Sequence, residues 1–215
     1  LINEKEKELN EKRISFFTNI SHEFRTPLTL IINPIKELLN KMTAADITGD
    51  LRVVYRSARR MLSLVDQLLL FRKVEAGHDE LHLSRFNFHD LCKEVYSYFI
   101  QQAHGKNITY LFDCPNSDLH LVGDREKLEI VLFNLVSNAL KYTPEGSTVR
   151  FKVIDDASQV HVEVSDTGYG IAADEGEKLF ERFYQAKPGD RAAKPGFGIG
   201  LYLAKQFTML HAGNL

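Results

Sequence analysis

Cysteine is scarce in this chain: Cys92 and Cys114 are the only two among 215 residues, and they form neither a CxxC pair nor a metal-ligand spacing. That excludes a disulfide-stapled scaffold, and the pair reads as reduced, part-buried thiols of a cytosolic protein. Long apolar runs are missing too. The longest, such as Leu68-Leu69-Leu70-Phe71, fall far short of the ~18 residues that a membrane span requires. Neither sign of charge dominates, since 27 Lys and Arg stand against 29 Asp and Glu for a net charge of −2. Without a global basic field, nucleic acid is a poor candidate for the main partner. There is no initiator Met and no signal peptide, so the chain reads as a piece of a longer one. What remains is ordinary globular usage, 44% apolar and 26% charged, with length for one to two domains.

Residues 1–13 are mostly charged helix formers, suited to a helix entering from upstream. From Phe17 an apolar stripe runs through Ile20, Phe24, Leu28, Ile31, Ile35 and Leu38, at helical spacing. Turn-forming residues over Lys41–Asp50 interrupt it, and Leu51, Val54, Ala58, Met61, Val65 and Leu68 resume it. Two such helices predict an antiparallel hairpin that buries only one face of each. A second copy would complete a four-helix bundle, so the expectation is a homodimer.

Past Gly77, the expected C′ residue of the second helix, the pattern changes. Asn87–His104 reads as a helix, with short strands at Ile108–Phe112 and Leu119–Val122. Asp124 caps a helix running to Tyr142. Thr148–Ile154 and Gln159–Ser165 alternate apolar and polar residues as half-buried strands do. Helices are expected over Asp174–Tyr184 and Ile199–His211, around a Gly-, Pro- and Lys-rich loop. The order predicts an α+β chain: a helical module over 1–80, then an α/β sandwich over 81–215.

Four constellations carry chemistry. His22 falls roughly 160° around its helix from the apolar stripe, with Thr26 one turn beyond it on the outer face. A lone helical His is ordinarily a surface residue. Here Glu23 adjoins it, and Pro27 frees the Glu23 carbonyl at a cost of ~3 kcal/mol. An exposed imidazole beside a carboxylate can serve as a nucleophile. The zinc-protease pattern HExxH fails, because its last position is Thr26.

Asn134, Asn138 and Lys141 lie at i, i+4 and i+7, on one line of their helix. Amide oxygens suit Mg²⁺ and an ammonium suits phosphate, although a plain polar face would look the same. Asp166-Thr-Gly168-Tyr-Gly170 follows a strand, where a carboxylate can accept a hydrogen bond from a base amine. Gly196, Gly198 and Gly200 open the last helix, where backbone N–H groups can converge on phosphates. Neither the dinucleotide fingerprint nor a P-loop is present.

Taken together and in this order, these motifs resemble the transmitter core of a sensor histidine kinase. Ser21–Ile31 resembles the H-box, Asn134–Pro144 the N-box, Asp166–Ile171 the G1 box, Leu179–Gln185 the F-box and Gly196–Leu201 the G2 box. The H-box and its lead are most similar to hybrid two-component regulators of Bacteroides-type bacteria.

The resemblance implies ATP-dependent autophosphorylation of His22, with Glu23 as acid/base neighbour, then transfer to an aspartate of a response-regulator receiver domain. Thr26 would orient water for dephosphorylation of that partner. Asn138 would be the Mg²⁺ ligand, Asn134 would assist it, and Lys141 and Tyr142 would line the nucleotide site. Asp166 would bind the adenine amine, Gly168 and Gly170 would shape its pocket, and Gly196, Gly198 and Gly200 would approach the phosphates. Phe180 and Phe183 would anchor a lid over about 186–196. An upstream sensor domain, and a place as the cytoplasmic portion of a membrane-anchored protein, follow from the same resemblance.

Gyrase-type ATPases carry a catalytic Glu where this chain has Asn134. A carboxamide cannot take a proton from attacking water, which favours kinase over ATPase. A non-catalytic dimeric module binding nucleotide as a structural ligand is the other alternative. Two departures stand out: Gln185 replaces a frequent basic residue, and the family pattern continues beyond Leu215.

Overall fold

A computed structural model describes residues 24, 26–35, 47–75, 80–156, 159–171, 175–185 and 197–215. The chain divides into two compact units, Leu1–His78 with Lys187–Ile199, and Asp79–Ala186 with Gly200–Leu215.

In the first unit, residues 26–35 form helix α1, and Ile47–Glu75 form the 29-residue helix α2. Arg72 and Lys73 lie in the last turn of α2, where cations suit the helix dipole. The expected turn over Lys41–Asp50 is corrected at its end, because the helix already includes residues 47–50. Poor helix formers cost little there, since first-turn N–H groups have no intrahelical partner. On α2 the buried line is Ser57, Leu64 and Phe71, whereas Ala58 and Val65 of the expected stripe are exposed. Phe24 is half-buried, as is Ile31 of α1, while Leu28 and Ile35 of α1 are 46% and 43% exposed.

The second unit is an α/β sandwich. Strand β1 (Ser84–Asn87) leads into α3 (Phe88–His104), whose first turn is capped by Asn87 accepting from Asp90 N–H. Then come β2 (Thr109–Asp113), β3 (His120–Gly123), α4 (Arg125–Tyr142), β4 (Thr148–Asp156), β5 (Gln159–Asp166) and α5 (Gly200–Leu210). One sheet has the order β2-β4-β5, with β2 parallel and β5 antiparallel to β4, and β1 and β3 pair antiparallel as a separate ribbon. Strand β1 was not anticipated, because Ser-Arg-Phe-Asn is short and half polar.

Expected alternation along β4 is observed: Val149, Phe151 and Val153 are fully buried against Leu132, Val136 and Leu140 of α4 and Leu91, Val95 and Phe99 of α3. The helix expected over Asp174–Tyr184 is corrected. Among the described residues of that segment the helical stretch is one 3-10 turn, Lys178–Phe180, with turns on either side of it. Local propensity loses there to ring packing: Lys205 Nζ stands 5.3 Å over the Phe180 ring, and Arg182 5.9 Å over Tyr202, both against α5.

Candidate functional site

The C-terminal half of α4 and the end of β5 meet at one edge of the sandwich. Asp166 closes β5 opposite Val149, and Thr167 ties the chain back to β4 by donating to Thr148 O at 3.0 Å. The Thr148 N–H in turn donates to Thr167 Oγ1 at 3.0 Å. Asp166 Oδ1 then accepts the Gly168 N–H at 2.8 Å, which turns the chain sharply.

Gly168 is required for space. A Cβ there would stand 2.5 Å from Asp166 Oδ1 and 2.9 Å from Tyr142 O, so the turn lies directly on the end of α4. Gly170 is required for conformation, at φ +68° with nothing near it. Thr143, which ends α4, is buried and donates its hydroxyl to Ala139 O at 2.7 Å.

Along α4, Asn134 Nδ2 donates to Ile130 O at 2.8 Å, which leaves Oδ1 turned towards Gly200, where an added Cβ would collide with it. The first residue of α5 is therefore packed on the middle of α4. Asn138, one turn further on, is half-buried, and its side chain makes no hydrogen bond to the described residues. Lys141 Nζ lies 5.0 Å over the Tyr142 ring, which is itself exposed. Carboxamides, an ammonium, an exposed aromatic face and an exposed carboxylate at a tight turn suit a purine nucleotide with its phosphates and cation. Among the described residues no group of three His, Cys, Asp or Glu side chains could hold a metal ion.

Comparison with known proteins gives two family matches. Residues 12–77 match the His Kinase A (phospho-acceptor) domain, and residues 123–215 the histidine kinase-, DNA gyrase B- and HSP90-like ATPase family. The solved catalytic domain of histidine kinase ThkA is 31% identical, with TM-score 0.52, over 59% of this chain and 79% of that one. This chain belongs to the histidine kinases.

Histidine kinase P4 of Formosa agariphila is 37% identical over 99% of this chain, which spans 16% of that relative's length. A structure of ThkA in complex with the response regulator protein TrrA is similar at 25% identity and TM-score 0.54, covering 86% of this chain and 56% of that one.

Within this histidine kinase, the structure brings Asn134 to Gly200, and Asp166 and Gly168 to Tyr142. Phe183 is half-buried in a left-handed conformation at φ +64°, in the segment after the 3-10 turn. Gly198, also at positive φ, belongs to the first unit, as does the exposed Thr26. His22, Glu23, Gly77, Gly196 and the lid over 186–196 lie outside the described residues.

Thr167 and Thr143 were missed. A hydroxyl at a strand end or helix end is too common to signal that it joins two elements. A groove of about 560 Å³ beside α3 and the end of β2 shares no lining residue with this site. Both cysteines are free, and burial, then the proximity of Cys114, pushes the Cys92 thiol well above its usual range. Among the described residues no helix is long and apolar enough to cross a membrane.

Proposed function

We propose that this histidine kinase core phosphorylates itself on His22 with ATP and passes the phosphoryl group to a receiver aspartate of a response regulator. The observation that carries the reading is the meeting of the Asn134–Tyr142 line with the Asp166–Gly168 turn on one ordered edge. Adenine is held by its amine on Asp166, with Gly168 and Gly170 keeping the backbone low beneath it. Lys141 and Tyr142 line the site, Phe183 anchors its lid, and Gly196, Gly198 and Gly200 offer backbone N–H groups to the phosphates.

Asn138, assisted by Asn134, is the residue that would hold Mg²⁺. An amide oxygen with no competing hydrogen bond fits that hard cation, which when bound neutralises phosphate charge.

The transfer balances simply. The free imidazole nitrogen of His22 attacks the γ-phosphorus, the bond to the ADP oxygen breaks with its electron pair, and Glu23 takes the ring proton. The receiver's carboxylate then displaces the imidazole. The relative solved with a response regulator supports that partner class. Thr26, exposed on α1, would orient water when the same surface dephosphorylates the receiver.

Residues 1–80 act as the dimerisation and phosphoacceptor module and 81–215 as the catalytic domain. The exposed Leu28, Leu30, Ile32, Ile35 and Leu69 supply apolar surface for a homodimer. An upstream sensor domain and a membrane anchor for the whole protein complete the reading.

Incubation with γ-labelled ATP and Mg²⁺ tests it. The label should be acid-labile and alkali-stable, and absent from His22→Gln. Label that persists in His22→Gln overturns the assignment, and steady phosphate release without phosphoprotein would instead mean a gyrase-type ATPase.

A further inference from the structure

Where the chain enters the second unit it has no regular structure, yet it is held firmly. Lys127 Nζ donates to Glu80 O at 2.9 Å and to Asp124 Oδ2 at 2.9 Å. The His82 N–H donates to the same Oδ2 at 3.0 Å. His211, one residue past α5, accepts the Asp124 N–H on Nε2 at 2.9 Å. A backbone amide only donates, so Nε2 carries the lone pair and Nδ1 the proton, which goes to Phe207 O at 2.7 Å. Gly123 leaves room for this ring, since an added Cβ would stand 3.3 Å from it.

Both charged side chains are buried. Apolar groups of similar shape commonly serve stability as well as a buried ion pair does. What apolar groups cannot do is grip two backbone groups, Glu80 O and His82 N–H, in one register. The grip sits at the first turn of α4, and the same helix carries Asn138 roughly 20 Å further along.

We propose that Asp124, Lys127 and His211 form a positioning clamp that fixes the entering chain to α4 and so sets the rate of phosphoryl transfer to His22, without contributing to nucleotide affinity. None of the three belongs to the proposed nucleotide or phosphoacceptor set. The inference rests on the kinase reading, and its test separates the two.

The whole chain is compared with its Lys127→Met, Asp124→Asn, Lys127→Arg and His22→Gln variants. Three quantities are measured: the rate of acid-labile labelling at saturating ATP and Mg²⁺, the ADP dissociation constant by calorimetry, and amide hydrogen exchange over 80–83. Lys127→Met and Asp124→Asn should slow labelling about 10-fold or more, the scale of a small misplacement of reacting groups. ADP affinity should stay within about 2-fold, and the His82 amide should exchange faster. Lys127→Arg keeps the charge and donors, and should restore most of the rate.

Parallel losses of labelling and ADP affinity would mean a merely structural role and overturn the clamp. So would faster exchange at unchanged labelling, or unchanged exchange in both disrupting variants. An unlabelled wild-type chain would overturn the kinase reading instead, while the exchange experiment still decides whether the clamp exists.

Discussion

The two ends of α4 treat polar side chains in opposite ways. At its start Asp124 is 3% exposed, and its carboxylate receives the His82 N–H, the Lys127 N–H and the Lys127 ammonium. Towards its end Asn138 is half-buried without a hydrogen bond to the described residues, and Tyr142 is 46% exposed. Both ends belong to one well-packed helix, so the difference is not one of order. A saturated polar cluster has nothing left for a ligand and acts on the protein itself. A polar group held in place but left unused, as Asn138 is among the described residues, is available to a partner.

The sharpest way to break this comparison is Asn138→Ala. Labelling should fall by ~100-fold or more, with the thermal midpoint moving under ~2 °C, because an interaction made only with substrate is lost. A midpoint that falls along with activity would place Asn138 in the structural class.

Asp124→Ala should lower stability as well as the labelling rate. It removes the cap of α4 and leaves the Lys127 ammonium buried without its carboxylate, costing about 3–5 kcal/mol in urea unfolding.

Acid titrates the same group. Burial pushes the Asp124 carboxyl up, but the hydrogen bonds from His82 and Lys127 and the Lys127 charge outweigh it and hold the group at about 2. Its stabilisation, about 2 kcal/mol, is therefore complete above the ordinary carboxylate value near 4 and is lost as pH falls from there through about 2. Urea midpoints measured down that range should drop for the wild type and less for Asp124→Asn.

Gly168→Ala should show the smallest effect and an intermediate character. The methyl group must displace Asp166 Oδ1 or the end of α4, so stability should fall by about 1–2 kcal/mol, with weaker ADP binding measured in parallel.

Much of this was legible in the residues because it is local. Asp124 as a cap, α4 ending at Tyr142, and the alternation of Val149, Phe151 and Val153 are periodicity and capping, which neighbouring residues decide. Strand β1 escaped notice because four residues of Ser-Arg-Phe-Asn become a strand only through pairing with β3, over thirty residues away. The helix expected over Asp174–Tyr184 fails for the same reason in reverse, as packing of Phe180 and Arg182 on α5 replaces local propensity. Lys127, three residues after a cap, carries no sequence signal of its role. Nothing nearby in the chain reveals that Glu80 O lies in reach of its ammonium.

The residue order alone pointed to the kinase family: a stretch resembling an H-box, an asparagine line, an Asp-x-Gly turn and a glycine-rich helix start, each specified by spacing within a dozen residues. It settled the class of the fold as well, since hydrophobic period is a property of contiguous chain. Only the tertiary structure decided why Gly168 must be glycine, which side of Asn134 faces α5, and that Asp124 and Lys127 grip the incoming backbone. Those are facts about atoms brought together from distant positions, where close packing and the need to satisfy buried polar groups, rather than local preference, select the residue.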